Sequence, residues 1–285
     1  MKHVKLASSL SVAVLFLTAV GDTFASAITF SATGPNPAGI QAGVDAFRAA
    51  LGTLNPNVAG SFGSGRREIN WDGVPDASSA PNLLPPNFFN SNSPRGVVFS
   101  TPGAGFQVSA NAGVGPVRFD NINPTYSNTF QTFSAQRLFT AVGSNIVDVN
   151  FFVPGSNAAA FTSGFGAVFT DVDIANTTSI QFFDLLNNSL GIFFVPTANA
   201  GLSFLGVEFN AGEQISRVRI TNGNISLGVN DSPTADAVVM DDFIYAEPQA
   251  VAAPEASSLM LLAVGLGLCG LMYRRTRHTL RWLPR

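Results

Sequence analysis

From Gly96 onward, short apolar runs alternate with Gly- and Asn-rich breaks at intervals near ten residues. That spacing is the period of many short strands rather than of helices. Strands are predicted over Gly96–Thr101, Gly105–Asn111, Gln136–Val142, Ile146–Val153, Gly166–Val172, Ser179–Leu186, Gly191–Pro196, Phe204–Phe209, Ser216–Thr221 and Ala237–Ala246. Strict alternation in Ile215–Ile220 turns Arg217 and Arg219 towards water and the residues between them towards a core. Val168-Phe169 and Phe193-Phe194-Val195 read instead as strands covered on both faces. Asn222-Gly223, between Val218–Ile220 and Ile225–Leu227, is the strongest hairpin signal.

Only one stretch has helical periodicity. Ile40, Val44, Phe47 and Leu51 share one face of a helix over Ala38–Leu54, closed by Gly52 and expected to cap the end of the sheets. A short strand precedes it over residues 28–37. Asn55–Arg95 is loop-rich and broken by Pro81, Pro85, Pro86 and Pro94. Within it, Arg66-Arg67-Glu68-Ile69-Asn70-Trp71-Asp72-Gly73 has two readings. One is a strand with a buried tryptophan and a satisfied ion pair. The other is a ligand-binding patch made of Arg66, Arg67, Trp71 and Asp72. The whole pattern predicts an all-β fold, an antiparallel jelly-roll-like β-sandwich with one short helix. The repeat of about 40–50 residues that a propeller needs is absent.

Both ends of the chain differ from this core. Lys2, His3 and Lys5 precede an apolar stretch, Leu6–Val20, and Ala25-Ser26-Ala27 is an Ala-x-Ala cleavage site. Residues 1–27 thus read as a signal peptide for the Sec export machinery, leaving an exported domain over 28–250. Residues 251–285 hold Pro254-Glu255-Ala256, an apolar run over 257–273 and a cluster of Arg274, Arg275 and Arg277. The run is 17 residues long and contains Gly265, Gly267 and Gly270, so it is a short transmembrane helix near the ~17-residue lower limit. The arginines behind it hold its end in the cytoplasm. A short polar motif, a marginal span and a basic cluster, in that order, resemble the PEP-CTERM sorting signal of exported bacterial proteins. Ala256 stands where that family typically has a second proline. The resemblance implies processing by an exosortase-like membrane enzyme, and then a place at the cell surface or in an extracellular matrix. A plain C-terminal anchor is the other reading of the same residues.

Composition narrows the chemistry. Over 28–250 there is no lysine, histidine or cysteine, and eight arginines face sixteen acidic residues. A basic patch for nucleic acid is therefore missing. So are the parts for a Ser-His-Asp triad, a cysteine nucleophile, a His/Cys zinc site or a disulfide. Phenylalanine supplies 23 of the aromatics in this region, against Trp71, Tyr126 and Tyr245 alone. This fits a Phe-filled core better than a glycan-stacking platform.

What remains is carboxylate chemistry. Asp171 and Asp173 lie two residues apart at a strand end, and Asp241-Asp242 precede the last strand. Together they form a candidate oxygen-ligand site for a structural calcium ion; a solvated strand end is the competing reading. Gly164–Asp173 with Asp241-Asp242-Phe243 also resembles exported lectin-like sandwich domains. The expected function is that of a non-catalytic surface or matrix protein, structural or weakly polysaccharide-binding. A glycoside hydrolase drawing on Glu68, Asp72, Glu208 or Glu213 is the alternative.

Overall fold

The computed structural model describes residues 26–252 and, in the C-terminal tail, 260 and 262–270. In chain order the elements are β1 (Ala27–Gly34), α1 (Pro37–Leu51), β2 (Arg66–Ile69), α2 (Phe88–Ser91), β3 (Val97–Ser100), β4 (Gly105–Val108) and α3 (Tyr126–Thr129). There follow β5 (Phe139–Val142), β6 (Ile146–Phe151), β7 (Ala160–Phe161), β8 (Gly164–Val172), β9 (Ser179–Phe183) and β10 (Ser189–Phe194). The last are β11 (Ala198–Phe209), β12 (Arg217–Thr221), β13 (Val239–Ala246) and β14 (Gln249–Ala250).

Two antiparallel sheets form a sandwich. The larger runs β1-β11-β8-β13-β5-β4, with β2 also paired to β13, and the smaller runs β10-β9-β12-β6-β3. After β8 the chain crosses repeatedly between them: β9 and β10 lie in the small sheet, β11 in the large, β12 in the small and β13 in the large. Phe165, Ala167, Phe169, Leu205, Val207 and Phe243 of the large sheet meet Val97, Phe99, Val149, Ile180, Phe182 and Val218 of the small one in a single apolar core. Alternation sets this: successive side chains of a strand point to opposite faces.

The expected helix is α1, with Asn36 at its N-cap accepting from the Gly39 amide and Pro37 at its start. Gly52 closes it with a positive φ (93°) that glycine tolerates, its N–H bonded to the Arg48 carbonyl. The helix does not cap an end of the sandwich. It lies on the outer face of the large sheet, where Ile40, Val44, Phe47 and Leu51 pack on Val168, Leu202, Phe204 and Ile244. This third layer is why all nine residues of β8 are buried. Two short helices, α2 and α3, lie in segments where the sequence suggested none.

Three other expectations change. Asn222-Gly223 does not turn a hairpin, because β12 already pairs with β6 on one side and β9 on the other. The Asn222 amide bonds instead to the Asn145 carbonyl, and a Cβ on Gly223 would fall 2.0 Å from the Asp236 carbonyl oxygen. Phe193-Phe194-Val195 is not covered on both faces, since β10 is an edge strand and Phe194 is half exposed. Among the described residues no helix is long and apolar enough to cross a membrane. Of the expected span 257–273, residues 260 and 262–270 are helical with exposed side chains. The signal peptide up to residue 25, Pro254, Glu255, Ala256, Arg274, Arg275 and Arg277 lie outside the described residues.

Candidate functional site

The segment Arg66–Asp72 takes the structural role. Trp71 is 1 % exposed and stacks flat on Phe139 at 4.0 Å, with Phe89 and Phe243 edge-on at 5.3 and 5.1 Å. Its indole N–H donates to the Asp241 carbonyl at 2.9 Å. A tryptophan held on several sides in this way cannot serve as a platform for a ligand. Arg67 is also fully buried. Its Nε donates to Glu247 at 2.8 Å, and its other nitrogens donate to the carbonyls of Val58, Gly60 and Pro94. The pair ties the long loop between α1 and β2 to the end of β13. Arg66 pairs with Glu68 at 2.7 Å and reaches the Gly52 carbonyl. Asp72 accepts from the Arg137 amide at 3.2 Å. The supposed binding patch is thus a strand end cross-braced to its neighbours.

Asp241 and Asp242 occupy a fork in the large sheet. On one edge of β13, Met240 pairs with Phe139 of β5, while Phe243–Ala246 pair with β2. Opposite, the register with β8 shifts between Met240 and Phe243. That β-bulge places both carboxylates where β2 and β5 diverge. Asp241 accepts from the Phe133 amide at 2.6 Å, and Ser134 Oγ lies 2.7 Å from Asp242 and 3.2 Å from Asp241. Burial, then the adjacent Asp242 charge, pushes the Asp241 carboxyl well above its usual range. Asp242 is also raised by burial, though less freely, because Ser134 and Arg48 favour its ionised form. Beside the fork opens a cleft of about 490 Å³ lined by Gln41, Arg48, Asn57, Asn70, Arg95 and Ser134 among others.

The acidic residues of the glycosidase reading do not all come together. Glu68 lines this cleft with Asp242, but Arg48 lies between them, 2.8 Å from Glu68 and 3.5 Å from Asp242. Glu208 lines a separate cavity of about 250 Å³ beside Glu247, and burial raises its pKa. Glu213 accepts backbone amides from Ser26 and Ala211.

Asp171 and Asp173 do come together, with a partner other than the expected one. Carboxylate oxygens of Asp171, Asp173 and Asp231 all lie within 4.8 Å of one another. Asp171 sits in the left-handed region (φ 66°) where β11 bulges: Ala198 pairs with Val172 and Leu202 with Thr170. Its Oδ1 accepts from the bulged Ala200 amide at 2.7 Å. Asp231 comes from the loop before β13 and accepts from the Ala237 amide at 2.9 Å. Asp236, fully buried, accepts from the Asp173 amide at 3.1 Å and from the Thr177 hydroxyl, fixing the segment that follows β8. Burial first, and the neighbouring carboxylates after it, raise Asp171 to about 6 and Asp173 to about 7. Asp241 and Asp242 do not join the cluster, being committed to Phe133, Ser134 and Arg48. Sequence reading passed over Asp231 and Asp236. Their one signal was a polar Asn-Asp-Ser loop placed just before the last long strand.

The chain matches no protein-family model, no curated protein and no solved structure.

Proposed function

We propose that this chain is an exported, non-catalytic surface or matrix protein, a jelly-roll-like sandwich delivered by a signal peptide and released by an exosortase-like enzyme. The observation that carries the reading is the order of features in the tail: Pro254-Glu255-Ala256, the apolar run 257–273, then Arg274, Arg275 and Arg277. A short span with basic residues behind it orients the preceding domain away from the cytoplasm. Support also comes from the domain's C-terminal edge, since its last strand ends at Ala250. The recognition motif therefore follows the folded part within a few residues. The alternation of β8 to β13 between the two sheets favours the jelly-roll reading.

The non-catalytic reading rests on what the carboxylates and aromatics are committed to. The one tryptophan of the domain is in its core, and Glu68 is paired with two arginines. Contact with extracellular polysaccharide falls to the polar cleft beside the sheet fork. Its amides and guanidinium groups can hydrogen-bond sugar hydroxyls, but it has no exposed tryptophan or tyrosine for stacking, so binding there is weak.

Mass spectrometry of the mature protein from its native host tests the reading. The expected product begins near Ile28 and lacks Arg274–Arg277. A product that keeps those arginines makes the tail a plain anchor and removes the exosortase step. Hydrolysis of an oligosaccharide by the purified protein, abolished in Glu68→Gln, would establish the glycosidase alternative instead.

A further inference from the structure

We propose that Asp171, Asp173 and Asp231 form a calcium site that clamps the loop before β13 onto the end of β8. A cluster of acidic residues alone is no site, but here the carboxylates are built inward. Asp171 is 3 % exposed, and with Oδ1 bonded to Ala200, its Oδ2 is left shielded from water and without a partner. Asp173 Oδ1 is likewise buried and unpartnered. Two carboxylate oxygens in this state are strongly disfavoured unless a cation or a proton compensates them.

Among the described residues no arginine forms an ion pair with Asp171, Asp173, Asp231 or Asp236. Lysine and histidine are absent from the whole domain. The ligand chemistry is all oxygen, which selects a hard cation over zinc or copper. Coordination habit then favours calcium: Ca²⁺ accepts irregular shells of 6–8 oxygens at about 2.3–2.6 Å, whereas Mg²⁺ demands a near-ideal octahedron at about 2.0–2.1 Å. Three carboxylate oxygens from two separate segments, all within 4.8 Å of one another, suit the irregular shell. Three carboxylates fill only part of a shell of 6–8 oxygens, the rest being left to second carboxylate oxygens and water.

The ion would join segments that the sheets do not. Asp171 and Asp173 belong to the end of β8 and its exit, and Asp231 to a loop whose own bridges, Leu227 to Val229 and Ser232 to Ala235, are local. The far side of that loop is held by Tyr126, whose hydroxyl donates to the Val229 carbonyl at 2.6 Å and accepts from the Gly228 amide at 2.9 Å. Asn123 adds a bond to Asn230 at 2.7 Å. The near side has the carboxylates.

The test titrates the full chain, purified in mild detergent and stripped with chelator, with calcium chloride alone. The expected result is one site with Kd on the order of 10⁻⁴–10⁻³ M, as for other extracellular modules. At about 100-fold excess over Kd the melting temperature should rise by roughly 5–10 °C, and magnesium should do much less. Terbium should bind in place of calcium and emit through Tyr126, whose hydroxyl is bonded to the same loop as Asp231. Asp231→Asn should weaken calcium binding at least 10-fold and quench that emission. Asp171→Asn should abolish both, and if that variant fails to fold, Asp231→Asn decides alone. Absence of any calcium response at 10 mM, or a response unchanged in Asp231→Asn, overturns the proposal.

Discussion

Single residues in this domain show how a charge is tolerated in a core. Arg67 and Glu247 are 0 % and 3 % exposed, and every guanidinium nitrogen of Arg67 has an acceptor. Removing one partner leaves the other buried and uncompensated, so Arg67→Ala should lower stability by about 3–5 kcal/mol. Urea denaturation measures this, and Arg67→Met with Glu247→Leu should cost less than the two single changes added together. Asp72 makes a prediction of opposite kind. Burial, and the Asp242 charge to a lesser degree, raise its pKa from 3.8 to about 6 against the Arg137 amide bond. An acid whose folded pKa is raised binds its proton more tightly in the native state. Its contribution is therefore present below pH 3.8 and is lost as pH rises through about 6. Asp72→Asn keeps an acceptor for Arg137 and should raise stability at pH 7.5 by about 1–2 kcal/mol, flattening the slope between pH 4 and 6. Thermal melts of both proteins across that range check it. A variant with the parent's slope would show that Asp72 does not titrate as argued.

At the scale of elements, α1 depends on two glycines. Gly166 of β8 and Gly206 of β11 are paired across the strands, and the Phe47 ring lies over them. A Cβ on Gly206 would come within 2.8 Å of Phe47 Cγ, and one on Gly166 within 2.9 Å of Phe47 Cε1. Phe30 and Phe204 flank the same ring at 5.3 and 5.7 Å. Gly206→Ala should therefore lift the helix from the sheet and cost roughly 1–3 kcal/mol. Adding Phe47→Leu should restore part of that loss, which a merely local strand effect would not allow. Chemical denaturation of the single and double variants separates the two. The sheet fork follows the same logic of local demand. Trp71 bonds to the bulged backbone at Asp241, so the aromatic core and the carboxylate pair share one irregularity.

For the molecule as a whole, the layers are helix, large sheet and small sheet, with the acidic cluster and the polar cleft at different irregularities of the large sheet. Residues near the cluster join the end of β8 to the loop before β13, and the buried arginine joins the long loop after α1 to the end of β13. Deleting Ser257–Arg285 should leave the sandwich folded, because its last strand pairing, Ala250 with Ala160, lies before the deletion. The truncated chain should melt cooperatively within a few degrees of the full one, and in the native host it should leave the cell envelope. Unfolded or envelope-bound truncated protein would give the tail a role in folding or retention beyond sorting.

The sequence by itself determined the strands and the helix face, because period-2 and period-3.6 patterns are properties of the local chain. Ile40, Val44, Phe47 and Leu51 are all buried, and Arg217 and Arg219 stand on the outward side of β12. Exclusion of thiol, imidazole and lysine chemistry also needed only the residues present over 28–250. Tertiary structure alone decided which strands are edges, and so why Phe194 is exposed while Phe169 is not. It also decided where α1 lies, since an apolar stripe fixes which face is buried but not which surface buries it. The carboxylates make the same point. Two aspartates close in sequence could be seen as a pair, but their partner comes from a loop far along the chain. Asp231 meets Asp171 and Asp173 only because β8 and β13 are hydrogen-bonded neighbours, a pairing no local pattern encodes.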